Sequence, residues 1–480
     1  MRSLTAVALT TPFAMLLAGC AVGPTYLAPT APTLGVPAAW SVPATASRED
    51  LAAWWRRFDD PVLSALIDKA MALNLDIAQA QARLRQAREA LVQSRSGLFP
   101  TLSASGSGGR NEALAGTLAP TGSGATSLSL GLDASYQADV FGGVRRSVEA
   151  SSADLAASGF TLAATQLSME SELARNYMQA RGFQQQLDLA RATLAIQDDN
   201  LSIAQFRVQA GLVTSVDVES ARASRAQAAA VIPQVEQSFA AAVARIAVLT
   251  GEAPGALRPL LATPAPIPTG PANIALGIPA DLLRRRPDVL SAERNLAAAS
   301  ARIGVAQARL YPALSFTGSL ASSAGAVRTL FDTITGSLFA NLAQTLFDGG
   351  SRRAQTRSAR AGADLAFAAY KSSVLRAIED TENAAGALDS AEAREVQFAL
   401  AATAAQNSAI LARSQYRAGL TDFTTLNTQE SALVNARTSL LQARADKAQA
   451  LVTLFVALGG GWSGADLAPA AAATPSSSPR

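Results

Sequence analysis

Phe141-Gly142-Gly143-Val144-Arg145-Arg146 opens the stretch that decides the fold. From Gly143 to Ala210 the chain runs 68 residues without a proline and then closes on Gly211-Leu212. As one helix this stretch would be ~100 Å long at ~1.5 Å per residue, far beyond the ~11 residues of an ordinary globular helix. Its apolar residues recur every seven positions: Leu155, Leu162 and Met169 in one row, Leu187, Leu194, Leu201 and Val208 in a second, Leu189, Ile196 and Ile203 in a third. A sustained seven-residue repeat makes helices supercoil left-handed, and parallel apolar rows require neighbours on more than one side. Taken alone, the stretch reads as one strand of a two-stranded coiled coil.

A second copy changes that reading. Phe347-Asp348-Gly349-Gly350-Ser351-Arg352-Arg353 echoes the opening motif, and the proline-free run after it ends at Gly419-Leu420. Leu84, Leu91, Leu98 and Pro100 match Leu296, Ile303, Leu310 and Pro312 at a constant offset of 212. The chain is a tandem duplication, and each half is a structural unit.

Composition narrows the class. Of 480 residues 49% are hydrophobic but only 5% aromatic, with much of the apolar content alanine, which suits close helix packing. There is no histidine, and Cys20 is the single cysteine, so metal sites, disulfides and cofactor ligation by thiol or imidazole are not expected. A net charge of +3, without a basic stripe interleaved with aromatics, argues against nucleic acid. Gly459-Gly460-Gly461 lacks the Lys and Ser/Thr of a phosphate-binding loop.

In chain order, residues 1–19 read as a signal peptide: one charge at Arg2, then an apolar run ending Leu16-Leu17-Ala18-Gly19 before Cys20. Residues 20–59 carry Pro24, Pro29, Pro32, Pro37 and Pro43, which exclude regular helix and predict an extended strap. The first repeat occupies 60–251. Asp60 caps a helix with Pro61 in its first turn, and the row Leu63, Ala70, Ile77, Leu84, Leu91 carries that helix to Gly97. A proline-rich linker covers 252–286, the second repeat 287–462, and a disordered tail 463–480.

Between helices the period changes from seven to two. From Ser127 to Val140 even positions are Leu128, Leu130, Leu132, Ala134, Tyr136, Ala138 and Val140, while odd ones are polar or glycine. Leu102 to Ser107 and Leu314 to Leu320 alternate likewise, and Leu338 to Leu346 less cleanly. Four strands paired as two hairpins suit a bilayer crossing of ~9–11 residues per strand. A membrane tolerates no open sheet edge, so several chains must share one barrel.

These residues resemble the TolC-like outer-membrane factors, in the NodT branch of efflux lipoproteins. The resemblance covers nearly the whole mature chain. It rests on Cys20-Ala21-Val22-Gly23-Pro24-Thr25-Tyr26, Trp54-Trp55 with Phe58-Asp59-Asp60-Pro61, Ile278-Pro279-Ala280-Asp281-Leu282-Leu283-Arg284-Arg285-Arg286-Pro287-Asp288-Val289, Ala292-Glu293-Arg294, Ile303-Gly304-Val305-Ala306, Tyr311-Pro312 and Tyr416-Arg417-Ala418-Gly419-Leu420. It implies a mostly α chain with a membrane β-barrel: a homotrimer whose twelve-stranded barrel takes four strands from each protomer and continues into a long α-helical coiled-coil periplasmic tunnel. It also implies a periplasmic adaptor and an inner-membrane pump of the resistance-nodulation-division type as partners. The lipobox around Cys20 implies acylation, with Ala21 directing the protein to outer-membrane lipid, where fatty chains anchor at about 0.8 kcal/mol per buried CH₂.

The expected function is a passive exit duct for drugs or other small toxic compounds, without catalysis or cofactor. The alternatives are a type I protein-secretion duct and a non-pore periplasmic coiled-coil protein. Gly142, Gly143, Gly349 and Gly350 are candidate strand–helix joints, where bends favour residues without a Cβ, and Asp139 and Asp348 are candidate caps for the helices that follow. The hairpin turns Gly211, Leu212, Gly419 and Leu420 are the expected gate. There three copies of Asp217 form a carboxylate ring, balanced by Arg207, Arg413 or Arg417. The resemblance implies a further constriction aspartate at the position that is Thr428 here, so that ring is either missing or replaced by Asp422.

Overall fold

The computed structural model describes residues 21–41, 51–111, 125–271 and 274–463, so the signal peptide, Cys20 and nearly all of the tail lie outside the described residues. The chain begins with α1 (Ala31–Leu34), a 3-10 turn (Trp54–Phe58), α2 (Pro61–Leu73) and α3 (Leu75–Ser96), followed by β1 (Thr101–Asn111) and β2 (Ala125–Ala138). Then come α4 (Gly143–Gln209), α5 (Ser215–Leu249), α6 (Arg258–Leu261) and α7 (Leu282–Arg285). The second copy follows as α8 (Pro287–Ala308), β3 (Ala313–Ala324), β4 (Ile334–Ala343), α9 (Ser351–Arg417) and α10 (Phe423–Ala457). The duplication is retained in helix length: α3 and α8 have 22 residues, α4 and α9 have 67, α5 and α10 have 35. None of the helices among the described residues is long and apolar enough to cross a membrane.

The chain forms two compact units. One takes the chain up to Pro29 with Arg83–Ser158 and Ser291–Lys371; the other takes Thr30–Ala82, Gly159–Leu290 and the chain from Ser372 onward. In the first unit the strands make one antiparallel sheet in the order β1-β2-β3-β4. The two expected hairpins are therefore joined, because β2 pairs with β3 from Leu128↔Ala324 to Ala138↔Leu314. β1 also runs further than its alternation predicts, through Gly106 and Gly108 to Asn111. Leu130 and Leu128 on β2 stand 3.3 and 3.1 Å from where a Cβ on those two glycines would lie, so the neighbour's leucines cover them.

In the second unit Asp60 caps α2: its Oδ1 accepts from the amides of Val62 (2.8 Å) and Leu63 (3.0 Å). Its Oδ2 accepts the Tyr177 hydroxyl at 2.7 Å, so one carboxylate ends a helix and ties it to α4. Trp54 is fully buried and stacks on Phe455 at 5.6 Å, with Phe58 edge-on to both. The glycines of Gly459-Gly460-Gly461 close α10. The Gly459 amide bonds the Val456 carbonyl, the Gly460 amide the Phe455 carbonyl, and the Gly461 amide the Leu51 carbonyl.

Three sequence expectations are corrected here. The single helix predicted from Leu63 to Leu91 is two, α2 and α3, broken at Asn74. The Asn74 Oδ1 accepts from the Asp76 and Ile77 amides (2.9 and 3.1 Å), while its Nδ2 donates to the Leu249 carbonyl at 2.9 Å. A side chain that caps one helix and holds the end of another interrupts a heptad row that is otherwise continuous. The strap contains the helical turn α1, with Pro32 in its first turn, where a missing N–H costs nothing, and Gly35 at φ +81° as its stop. The proline-rich connector likewise holds α6 and α7 rather than being extended throughout.

Candidate functional site

The joints between strand and helix lie in the first unit. Gly142 adopts φ +77°, and the Asp139 carboxylate caps α4, with Oδ1 accepting from the Val144 amide and Oδ2 from the Arg145 amide, both at 2.9 Å. In the second copy Gly349 and Gly350 have φ +64° and +88°. Asp348 accepts from the Gly350 amide at 2.9 Å and the Arg352 amide at 3.1 Å, bonds that hold its carboxyl below the ordinary value.

The strap docks on the first joint, and none of its described residues docks on the second. The Val22 amide bonds the Phe141 carbonyl at 3.1 Å, and Arg146 donates from Nε to the Val22 carbonyl (3.2 Å) and from Nη2 to the Gly23 carbonyl (3.1 Å). Gly23 lies so close to α8 that a Cβ on it would stand 2.5 Å from the Gly304 Cα. The Tyr26 hydroxyl donates to Glu293 Oε1 at 2.5 Å, and burial first, then this bond, pushes the phenol above its ordinary range. Val22-Gly23-Pro24-Thr25-Tyr26, Glu293-Arg294 and Gly304, separate motifs in the sequence, therefore meet in one clamp. Ala21, directly after Cys20, packs against Gly142: a Cβ there would be 2.6 Å from the Ala21 Cα.

The two helical turns lie in the second unit. Each ends its long helix in the same way. Gly211 has φ +74°, its amide bonds the Val208 carbonyl, and the Leu212 amide reaches back to Arg207; Gly419 has φ +76°, bonding Tyr416, with Leu420 reaching back to Gln415. Ala204, Ala221, Ala412, Tyr416, Phe423 and Leu426 form the buried cluster beneath the turns.

The arginines foreseen as partners of Asp217 have other partners. Arg207 lies over the Tyr416 ring at 4.6 Å and donates to the Tyr416 carbonyl at 3.2 Å. Arg417 pairs with Asp199 at 2.7 Å, and Arg413 with Glu430 at 3.0 Å. Among the described residues no arginine forms an ion pair with Asp217. Arg207 and Asp217 both act on Tyr416, the guanidinium lying over the ring and the carboxylate acting only through its charge. The Asp422 carboxylate is used as the cap of α10, accepting from the Thr425 amide at 2.7 Å, and that bond lowers its pKa. Thr428 bonds back to the Thr424 carbonyl at 2.8 Å.

Sequence reasoning missed Glu430. It is 3% exposed and accepts from Asn200 Nδ2 (2.5 Å), Gln197 Nε2 (3.2 Å) and both Nε and Nη2 of Arg413 (3.2 and 3.0 Å). Burial raises its pKa, and the arginine and amide donors oppose that rise. The signal was present: Glu430 sits four residues after Leu426 and three before Leu433, a carboxylate on the apolar face of its helix.

Known proteins share this architecture. The family described as outer membrane efflux protein matches residues 66–252 and 278–460, the two repeats. Nodulation protein T of Rhizobium leguminosarum bv. trifolii is 32% identical over 469 residues, 94% of this chain and 97% of that one. The pyoverdine export outer membrane protein OpmQ of Pseudomonas aeruginosa is 31% identical over 460 residues, covering 93% of this chain and 95% of its own. The solved structure of the outer-membrane channel OprN superimposes with a TM-score of 0.83 at 33% identity, covering 92% of this chain and all of that one. With a four-stranded sheet, paired long helical hairpins and matches over both repeats, this chain belongs to the outer membrane efflux protein family and is an outer-membrane efflux channel.

Proposed function

We propose that three copies of this chain close one twelve-stranded barrel and form a passive exit duct for small toxic organic compounds. The sheet carries this reading: β1 and β4 are its two open edges, of 11 and 10 residues, and a bilayer leaves no such edge unpaired. The exposed apolar residues Leu375, Val396, Leu400 and Leu411 of α9 support it, since they give the long helices a face for a second copy to cover. Energy and substrate selection then come from a periplasmic adaptor and an inner-membrane pump of the resistance-nodulation-division type, and the duct performs no catalysis. The similarity to OpmQ, a pyoverdine export protein, favours small-molecule cargo over protein cargo.

In this reading Cys20 is acylated. Ala21, the residue after it, is seated at the Gly142 joint that follows β2. The turns at Gly211 and Gly419 act as the gate, held by the Arg417–Asp199 and Arg413–Glu430 pairs. Native mass measurement of the protein extracted from outer membranes tests assembly and anchor together. The expected species is three chains, each beginning at Cys20 and carrying added acyl mass. A monomer contradicts the shared barrel, and an unmodified trimer retaining Met1 contradicts the anchor alone.

A further inference from the structure

Alternation along the four strands sorts their side chains into two faces, and the pairing register carries the division across the sheet. Leu102, Leu132, Leu320, Phe316 and Leu338 lie on one face. On the other, Ser103 of β1 is paired with Asp133 of β2, Asp133 with Ser319 of β3, and Ser319 with Ser337 of β4. Hydroxyls dominate the rest of this face and satisfy one another across strands: Thr101 with Ser135 at 2.9 Å, Ser107 with Ser129 at 2.7 Å, Ser319 with Ser337 at 2.7 Å. Phe339 is its one large apolar side chain.

The charged residues of the described strands are Arg110 and Asp133. By parity Arg110 falls on the apolar face, one residue from the end of β1, and so off the hydroxyl face. Asp133 is exposed and on the hydroxyl face, which faces the lumen when the apolar face meets lipid. A wall of hydroxyls conducts ions and polar solutes of either sign with little preference. Among the described strand residues, a single carboxylate per chain, repeated by symmetry, therefore supplies the fixed charge of this face.

We infer that Asp133 sets the charge preference of the barrel lumen, so that organic cations pass the outer membrane section of the duct more readily than anions of the same size. The inference rests on the three-chain barrel proposed above. Its reach is limited by screening: the field extends ~30 Å at 0.01 M salt, ~10 Å at 0.1 M and ~3 Å at 1 M, so the preference is a low-salt property.

Charged thiol reagents applied from outside to vesicles bearing the full-length trimer test this without depending on the periplasmic gate. Ser319→Cys places a thiol directly opposite position 133, and Ser337→Cys gives a second site in the same row should the first variant assemble poorly. The same carboxylate also disfavours ionisation of the thiol and slows both reagents, so the readout is the ratio of cationic to anionic rates, which cancels that effect. With Asp133 present this ratio is expected to exceed that in the Asp133→Asn background by roughly tenfold at 10 mM salt, given a charge ~5 Å away in water, and the excess should largely disappear at 1 M. A ratio indifferent to Asp133→Asn at low salt would overturn the inference while leaving the barrel standing. Labelling of Leu320→Cys with protection of both serine-row cysteines would instead reverse the faces and overturn the barrel reading itself.

Discussion

Gly142 and Gly349 hold the same place in the two repeats but meet different surroundings. Both have positive φ, so a Cβ at either carries a backbone penalty of about 1–3 kcal/mol. Only at Gly142 does the Cβ also collide with backbone, 2.6 Å from the Ala21 Cα; at Gly349 it meets nothing within 4 Å. Alanine at either position is expected to lower trimer yield. Gly142→Ala alone should release the strap, read as faster proteolysis between Ala21 and Tyr26, and equal protection of the strap in the two variants would refute the docking role. The glycine pairs were legible in the sequence because strand periodicity ends at one side of them and helix periodicity begins at the other. The strap contact was not, since it joins residues more than a hundred positions apart.

At the scale of elements, the long helices show what heptad reading sees and what it passes over. Their length, register and turns follow from the leucine rows, yet those rows on α4 are mostly half-buried in the protomer. While Leu173, Tyr177 and Met178 fill another stretch of α4, two of the buried seams are small or polar: Ala190, Gln197 and Ala204 on α4, Ala377, Ala384 and Ala391 on α9. Close helix approach favours small side chains there, and leaves the larger ones at the flanks for further neighbours. Glu430 of α10 is a carboxylate buried against Gln197 of the α4 seam, and its raised pKa gives a sign. Stability from its protonated form is fully present below the ordinary value of 4.5 and lost as pH rises through the raised folded value. The thermal midpoint of the wild type should therefore gain, as pH falls from neutral toward 4.5, a component that Glu430→Gln lacks. Parallel pH profiles for the two proteins would contradict this. Among the gate pairs, Arg417–Asp199 is half-exposed on both sides and contributes ~0–1 kcal/mol. Arg417→Ser is thus expected to raise open probability at most about fivefold. Arg413→Ser, which strips a charge partner from a buried carboxylate, should do more. The reverse order in single-channel records would move the latch away from Glu430.

For the whole molecule, the duplication and the change from seven-residue to two-residue period make the fold class readable in the sequence. Side-chain partners at the turns were not readable, because a helix face lists which residues point together but not which neighbour reaches them first. Asp217, Arg207, Arg413 and Arg417 share the tip region, and the arginines went to Tyr416, Glu430 and Asp199. Anchoring and assembly are separable at this scale: Cys20→Ser is expected to reduce the share of protein in outer-membrane fractions more than the share that is trimeric, since the strands hold the barrel in lipid on their own. Equal losses in both would tie assembly to acylation. The duct itself is tested most directly by adding purified trimer to planar lipid bilayers and recording current. Discrete conductance steps are expected, and they should grow when Arg413→Ser loosens the turns. Correctly assembled trimer that inserts yet leaves the bilayer non-conducting, in the wild type and in Arg413→Ser alike, would contradict the duct.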